Sequence, residues 1–291
     1  VTGVQTCALP ISGQGHETTF AQLVAEQLGV PFESINIRQG DTFYPAAGFG
    51  SVGSRSLQTS GVAIGSAGDE VIKKGKVAAG QVLQAGGSDV AFTVTEGVGR
   101  FKVAGTDRAI STAELAVLLR REKLAGFENG LDSEARYAPK STFPNGCHIC
   151  EVEVDADTGH IDVARYIIVD DVGRVVNPMV VEGQIQGGFA QGLGQALMEN
   201  CVYDARSGQL LTASFMDYAM PRAEDVPSVD FSYNEVPCTT NPLGSKGAGE
   251  ASTVGAPPAL VSAICDALGV AHIDMPVTPE KAWRALRAAS A

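Results

Sequence analysis

The sequence predicts an α+β fold of mixed sheets and packed helices, and three features point to it. Apolar residues recur at helical spacing in several segments, as in Phe20, Leu23, Val24 and Leu28. Elsewhere the apolar period is two: Ile149, Val152 and Val154, then Ile161, Val163 and Tyr166, flank an Asp157–Thr158–Gly159 turn and form a hairpin. The 34 glycines are clustered, which marks backbone-lined joints rather than a low-complexity tract. With 291 residues, 44% hydrophobic and 19% charged, the chain has ordinary globular composition and length for a large core.

Composition removes several classes of function. A net charge of −12 and a sequence pI near 4.8 leave no electrostatic footprint for nucleic acid. No run of 18 or more apolar residues is visible, so no membrane span is expected. Six cysteines without framework-like spacing favour a reducing, cytoplasmic setting, with membrane association or the periplasm left open. The first residues, VTGVQTCALPI, read like the in-frame translation of a sequencing adapter and have no charged leader region. Residues 1–12 are therefore expected to be non-native and to lack packed contacts, leaving one domain over residues 13–291.

From Gly13 the elements follow in order. GQGHETT is a glycine turn entering a helix that Gly29 stops, and free N–H groups at such a start suit an anion. PFESINIRQGD alternates Phe32, Ile35 and Ile37 as a strand, and residues 41–50 form a turn-rich loop. GSVGSRS repeats the glycine theme before a second, Gly- and Ala-rich helix, and its hydroxyls and arginine suit a diphosphate. Residues 89–111 read as strands with glycine turns, followed by an amphipathic helix capped by Ser111 or Thr112. The hairpin carries a lone CxxC, Cys147 and Cys150, whose side chains face opposite ways on a strand and lack a second ligand pair. His148 and His160 read as strand or surface residues without partners.

Asn177 and Pro178 then open a segment with Gly187, Gly188, Gly192 and Gly194 in the body of a helix. Each interior glycine costs about 1 kcal/mol, which makes sense where another backbone or a planar ligand packs closely. Gln184, Gln186, Gln191 and Gln195 oppose a membrane helix, and no strand leads into a GxGxxG of nucleotide-binding type. Near the end, NPLGSKGAGEASTVGAPP combines four glycines with Lys246 and the segment's single carboxylate, Glu250. Pro257 and Pro258 are expected at the first turn of the following helix. A carboxylate between a glycine loop and an apolar helix start would be partly desolvated and usable as a general base; a solvated turn with an incidental acid is the alternative. Thr278 and Pro279 begin a terminal helix.

KGAGE followed by GAPPA resembles the active-site loop of molybdenum hydroxylase large subunits, the family of xanthine dehydrogenase, aldehyde oxidase and aerobic carbon monoxide dehydrogenase. GQGHETT, GSVGSRS, VEGQIQGGFAQGLG and SFMDYAMPRA resemble further signatures in the family's order, in the style of its bacterial members. The resemblance implies a C-terminal molybdopterin-binding part of a longer large subunit. Glu250 would be the catalytic base. Gln14, Gly15, His16, Asn177, Gln184, Lys246, Gly247 and Gly249 would contact the cofactor, with Ser54, Arg55 and Ser56 near its dinucleotide end. The cofactor would be molybdopterin cytosine dinucleotide, with molybdenum held by the pterin and no protein metal ligand. Partner subunits would carry 2Fe-2S and FAD, and the heterotrimer would dimerise. The substrate would be an aldehyde, an N-heterocycle or carbon monoxide, with water as oxygen source. The glycine loops, both glutamines and Glu250 would converge on one cleft. An inactive cofactor-binding or interaction fragment, or another dinucleotide-dependent oxidoreductase, are the alternatives.

Overall fold

The computed structural model describes residues 2–6, 13–39 and 50–289; the expected loop over residues 41–49 lies outside them. The chain divides into two compact units, Val1–Ser141 with Cys238–Ser245, and Thr142–Pro237 with Lys246–Ala291.

In the first unit, β1 (Thr2–Thr6) pairs in parallel with β2 (Ile35–Gln39). The expectation that the N-terminal residues make no packed contact is therefore corrected for Thr2–Thr6, whose backbone pairs with the strand alternation of Ile35 and Ile37. Helix α1 (His16–Leu28) follows the expected spacing and buries Phe20, Val24 and Leu28. Its C-cap, Gly29, has φ +57 and lies so close to Gly99 that an added Cβ would sit 2.0 Å from the Gly99 nitrogen. Only glycine meets both demands. Helix α2 (Val62–Val82) is preceded by a π-helical turn, Leu57–Gly61. Its small residues do what a Gly- and Ala-rich interior suggests: Gly75 accommodates the Phe101 ring and Gly68 the Gln27 side chain.

Strands β3 (Val90–Thr95), β4 (Val98–Val103) and β5 (Ala109–Ser111) form an antiparallel sheet. Helix α3 (Thr112–Glu122) starts at Ser111 with a reciprocal capping box to Glu114. Ala78, Ala79, Phe101, Leu115 and Leu119 form the core beneath this sheet.

In the second unit, β6 (Asn145–Val154) and β7 (Ile161–Asp171) make the expected antiparallel hairpin, and β8 (Val229–Tyr233) adds in parallel to β7. The sheet is mixed, as the α+β reading requires. Helices α4 (Pro178–Leu197) and α5 (Ala251–Leu268) pack on it around Tyr166, Ile168, Ile185, Phe189, Leu193 and Leu260. Full burial of the Ile, Phe and Leu side chains contributes roughly 1.5–3 kcal/mol each. Two of the five glycines in α4 face α5: an added Cβ would lie 3.1 Å from Ser252 Cβ at Gly188 and 2.7 Å from Ala256 Cβ at Gly192. Thr253 Oγ1 donates to the Gly188 carbonyl at 3.0 Å, a contact that only such close helix approach allows.

One expectation for α5 is corrected. It begins at Ala251, so Pro257 and Pro258 lie inside it rather than in its first turn. The packing of Ser252, Thr253 and Ala256 on α4 holds a turn and a half of helix ahead of the prolines, outweighing an interior-proline cost of about 3 kcal/mol. Helix α5 is also long and apolar enough to cross a membrane by length and composition. In this fold its Ala256–Leu260–Ile264–Leu268 stripe, one residue every four, is buried in the core. Helix α6 (Pro279–Ala289) follows Thr278, whose hydroxyl accepts from Lys281 N at 3.4 Å.

Candidate functional site

The glycine turns of the first unit meet. Gly13 and Gly15 have φ +95 and +68, which present Gln14 between two left-handed residues at the α1 start. Gln14 Nε2 donates to Ser51 Oγ at 3.2 Å, and Ser51 is in turn hydrogen-bonded to Ser56. The two motifs, far apart in sequence, thus form one polar network. Ser54 holds φ +54 without being glycine, a strained conformation that such a loop must over-determine. Arg55 and Ser56 are half-buried beside it.

This network is not satisfied internally. Among the described residues, Gln14 Oε1 is buried without a hydrogen-bond partner, and so is Thr59 Oγ1 in the π-helical turn. In the segment Cys238–Ser245 of the same unit, Asn241 Oδ1 and Ser245 Oγ are also buried and unpartnered. An unsatisfied buried polar atom costs about 1–3 kcal/mol, so such a group asks for an explanation.

His16, the first residue of α1, is buried and stacks on Phe20 with centroids 4.9 Å apart. Burial pushes its pKa below the ordinary histidine value, against the opposing effect of the hydrogen bond that Nδ1 donates to Gln39 Oε1. The ring is neutral at pH 7.

In the second unit, Asn177 is the α4 N-cap: its Oδ1 accepts from Val180 N at 3.0 Å, so this side chain is committed to the helix start. Gln184 is half-buried on the second turn of α4. Lys246 Nζ lies 2.5 Å from Asp171 Oδ2, with both side chains about nine-tenths buried. Burial alone would raise the Asp171 carboxyl. The Lys246 hydrogen bond, the Gly173 and Val236 amides and the Lys246 charge together hold it below the usual carboxylate value. Gly247 is buried and Gly249 half-buried, leading to Glu250 as α5 N-cap.

Glu250 is exposed in this chain. The expected desolvation between loop and helix is thereby corrected: the N-cap lies before the first buried residue of α5, Ser252. His148 corrects a second expectation. Its ring is buried, Nδ1 lies 2.9 Å from Tyr166 Oη and Nε2 lies 3.6 Å from Asp170 Oδ1. Period-two alternation turns it inward under α5, where the bare Gly255 leaves room for the ring. Cys150 is half-buried, and burial followed by the Glu151 charge pushes its thiol up to about 11. Among the described residues no group of three His, Cys, Asp or Glu side chains is placed to hold a metal ion.

Asp170, Asp171 and Thr59 were not singled out by motif, and Ser51 entered only as one of the GSVGSRS hydroxyls. Two adjacent acids closing an apolar strand were the available signal for the first pair, because alternation cannot send both to solvent.

The glycine turns of the first unit thus join into one polar network that holds buried polar atoms without partners among the described residues. Comparison with known proteins makes the class specific: the family model described as molybdopterin cofactor-binding domain matches residues 4–227. The chain belongs to that family. It is 37% identical over 280 residues to the carbon monoxide dehydrogenase large chain of Hydrogenophaga pseudoflava, covering 94% of this chain and 34% of that one. It is 36% identical over 289 residues to the nicotine 6-hydroxylase large subunit of Paenarthrobacter nicotinovorans, covering 97% and 35%. Among solved structures, quinoline 2-oxidoreductase from Pseudomonas putida 86 superposes with a TM-score of 0.85 at 38% identity, covering 98% of this chain and 36% of that one. The chain spans about a third of the length of the relatives it matches.

Proposed function

We propose that this chain holds molybdopterin, as its cytosine dinucleotide, in an oxidoreductase that hydroxylates a small molecule with oxygen from water. The single observation that carries the reading is the Gln14–Ser51–Ser56 network with Gln14 Oε1 buried and unused. A pterin edge and a diphosphate ask for amides, hydroxyls and a guanidinium. Gln14, Ser54, Arg55 and Ser56 supply these groups, with neutral His16 adjacent, and the glycine turn at Gly15 exposes backbone N–H groups. In the second unit Gln184 offers a further amide, and Gly247 and Gly249 offer bare backbone.

When bound, the cofactor supplies the two-electron oxidation. The role proposed for this chain's Glu250 is to take up a proton at its carboxylate. Lys246 keeps its charge with Asp171 and its N–H with the Val172 carbonyl, while Asn177 sets the start of the helix that carries Gln184. Electrons leave through partner subunits carrying 2Fe-2S and FAD, and the assembly works in the cytoplasm as a dimer of heterotrimers. Relatives named for carbon monoxide and for N-heterocycles support a substrate among carbon monoxide, N-heterocycles and aldehydes. The exposure of Glu250 favours a second reading, cofactor binding without catalysis at this residue.

Replacing Gln14 by Ala tests the first reading. Losing one amide contact to a ligand costs about 0.5–1.5 kcal/mol, roughly a factor of 2–10 in retention. Pterin and molybdenum per chain in the purified enzyme should fall by that factor while the melting temperature holds. Unchanged content would remove Gln14 from the cofactor site.

A further inference from the structure

We propose that the outer edge of β6 and the adjoining face of α5 form a docking groove for an extended, cation-bearing strand, and that this strand belongs to the part of the complete large subunit outside this chain. The inference concerns the second unit alone and does not depend on the cofactor reading.

Strand β6 ends its sheet. The strand order is β6–β7–β8, and among the described residues no strand pairs with the other side of β6. At 10 residues β6 is long for an edge, and residues 145–150 carry none of the lysines, prolines or acids that usually protect one. Gly146, Cys147 and Ile149 are exposed there, Ile149 at 52%. Roughly every second residue of an edge strand turns its N–H and C=O away from its one neighbour. A groove of about 610 Å³ runs along this stretch, and His148, Ile149 and Cys150 all line it. Successive strand side chains alternate between faces, so a space that touches all three follows the edge of the strand and not one of its faces.

The opposite wall is α5. Gly255, Pro258, Ala259, Ser262 and Ala263 line the groove, the i, i+3, i+4, i+7, i+8 series of a single helix face. All five side chains are short, so this wall lets another backbone lie close, and the incoming segment supplies the bulk. The helix needs such a cover. Of its 18 residues only Ser252, Ala256, Leu260, Ile264 and Leu268 are buried, although Asp266 is its single charged residue. A bilayer covers apolar side chains but offers no partner to the outward N–H and C=O groups of a strand, whereas an extended segment does both at once. Beyond residue 150 the exposed residues of β6 are the acids Glu151 and Glu153, with Asp162 opposite Glu153 on β7. A docked strand carrying lysine or arginine there makes favourable cross-strand pairs. A second copy of β6 brings no such cation, since NGCHICEVEV has neither lysine nor arginine. The chain spans 34% and 35% of its two named relatives, and the remainder of such a subunit has ample length for one more strand.

The test uses the complete enzyme containing this chain. Residue-resolved hydrogen–deuterium exchange should find successive amides of residues 146–150 all slow, like those of the central strand β7. An uncovered edge leaves alternate amides exchanging fast, and that result in the wild-type enzyme overturns the proposal without any variant having to fold. Ser262→Arg changes a position exposed in this chain and fills the groove. It should speed exchange of the outward β6 amides roughly tenfold or more, with β7 unchanged; equal exchange in variant and wild type overturns the groove as the docking site. The occupant is identified by photo-crosslinking from benzoylphenylalanine placed at Glu153, in enzyme assembled from isotopically light and heavy subunits. A crosslink to a peptide of the same polypeptide outside these 291 residues supports the proposal. Crosslinks between light and heavy copies, crosslinks only to another subunit, or amide protection that appears only on adding phosphatidylglycerol vesicles assign a different occupant and overturn it. None of these readouts depends on cofactor content, so failure here leaves the Gln14 reading untouched.

Discussion

Glu250→Gln in the complete enzyme is expected to lower turnover by about 10²–10⁴-fold, the usual contribution of a positioned general base, with molybdenum and pterin content unchanged. The amide keeps the size and hydrogen-bonding capacity of the carboxylate but cannot take up a proton. Content should hold because the proposed cofactor contacts are Gln14, the Ser54–Ser56 group, Gln184 and backbone amides, and not this carboxylate. The side chain is exposed at the α5 N-cap, so the substitution should not unfold the unit. Steady-state kinetics beside metal analysis of the same preparation checks both halves. A fully loaded variant active within tenfold of wild type would leave the chain a cofactor-binding domain whose proton acceptor lies elsewhere.

Gly192→Val is expected to destabilise the second unit through the α4–α5 contact. Its first side-chain carbon would lie 2.7 Å from Ala256 Cβ and 3.0 Å from Pro257 Cδ, and the two branches would drive further into α5. Overpacking of this kind costs about 1–3 kcal/mol, and each kcal/mol lowers the melting temperature by roughly 2–4 °C in a protein of this size class. Gly187→Ala should move the other way. Nothing lies within 4 Å of that position, and alanine gains up to about 1 kcal/mol in an open helix site. Thermal denaturation of the two variants should give shifts of opposite sign. Equal shifts would mean that α4 and α5 do not approach through Gly192.

Those two glycines show what was legible in the sequence and what was not. The cluster in α4 announced a close approach, and the chain contained no means of saying which glycines meet another backbone and which meet open space. That is decided by the crossing of α4 over α5, a tertiary fact. The hairpin, its Gly159 turn, the Ser111 cap and the Gly29 stop were readable because each is fixed by local backbone chemistry within a few residues. The prolines of α5 were misplaced because local rules put proline at a helix start, whereas packing on α4 extends the helix ahead of them. The motifs located Gln14 and the Gly50–Ser56 loop, but their junction through Ser51 spans 37 residues and is invisible to spacing. Lys246 read as a charge offered to a ligand. Its partner Asp171 is 75 residues earlier, and only the fold reveals that the charge is already matched.

The claim at the centre of this account is that the chain holds a molybdenum–pterin cofactor, and cofactor analysis of the purified complete enzyme tests it most directly. Molybdenum should be present at about one atom per chain, with a pterin released on acid treatment and cytidine monophosphate released with it. A well-folded enzyme carrying neither molybdenum nor pterin would contradict the claim, whereas pterin with a different nucleotide would overturn only the cytosine dinucleotide assignment.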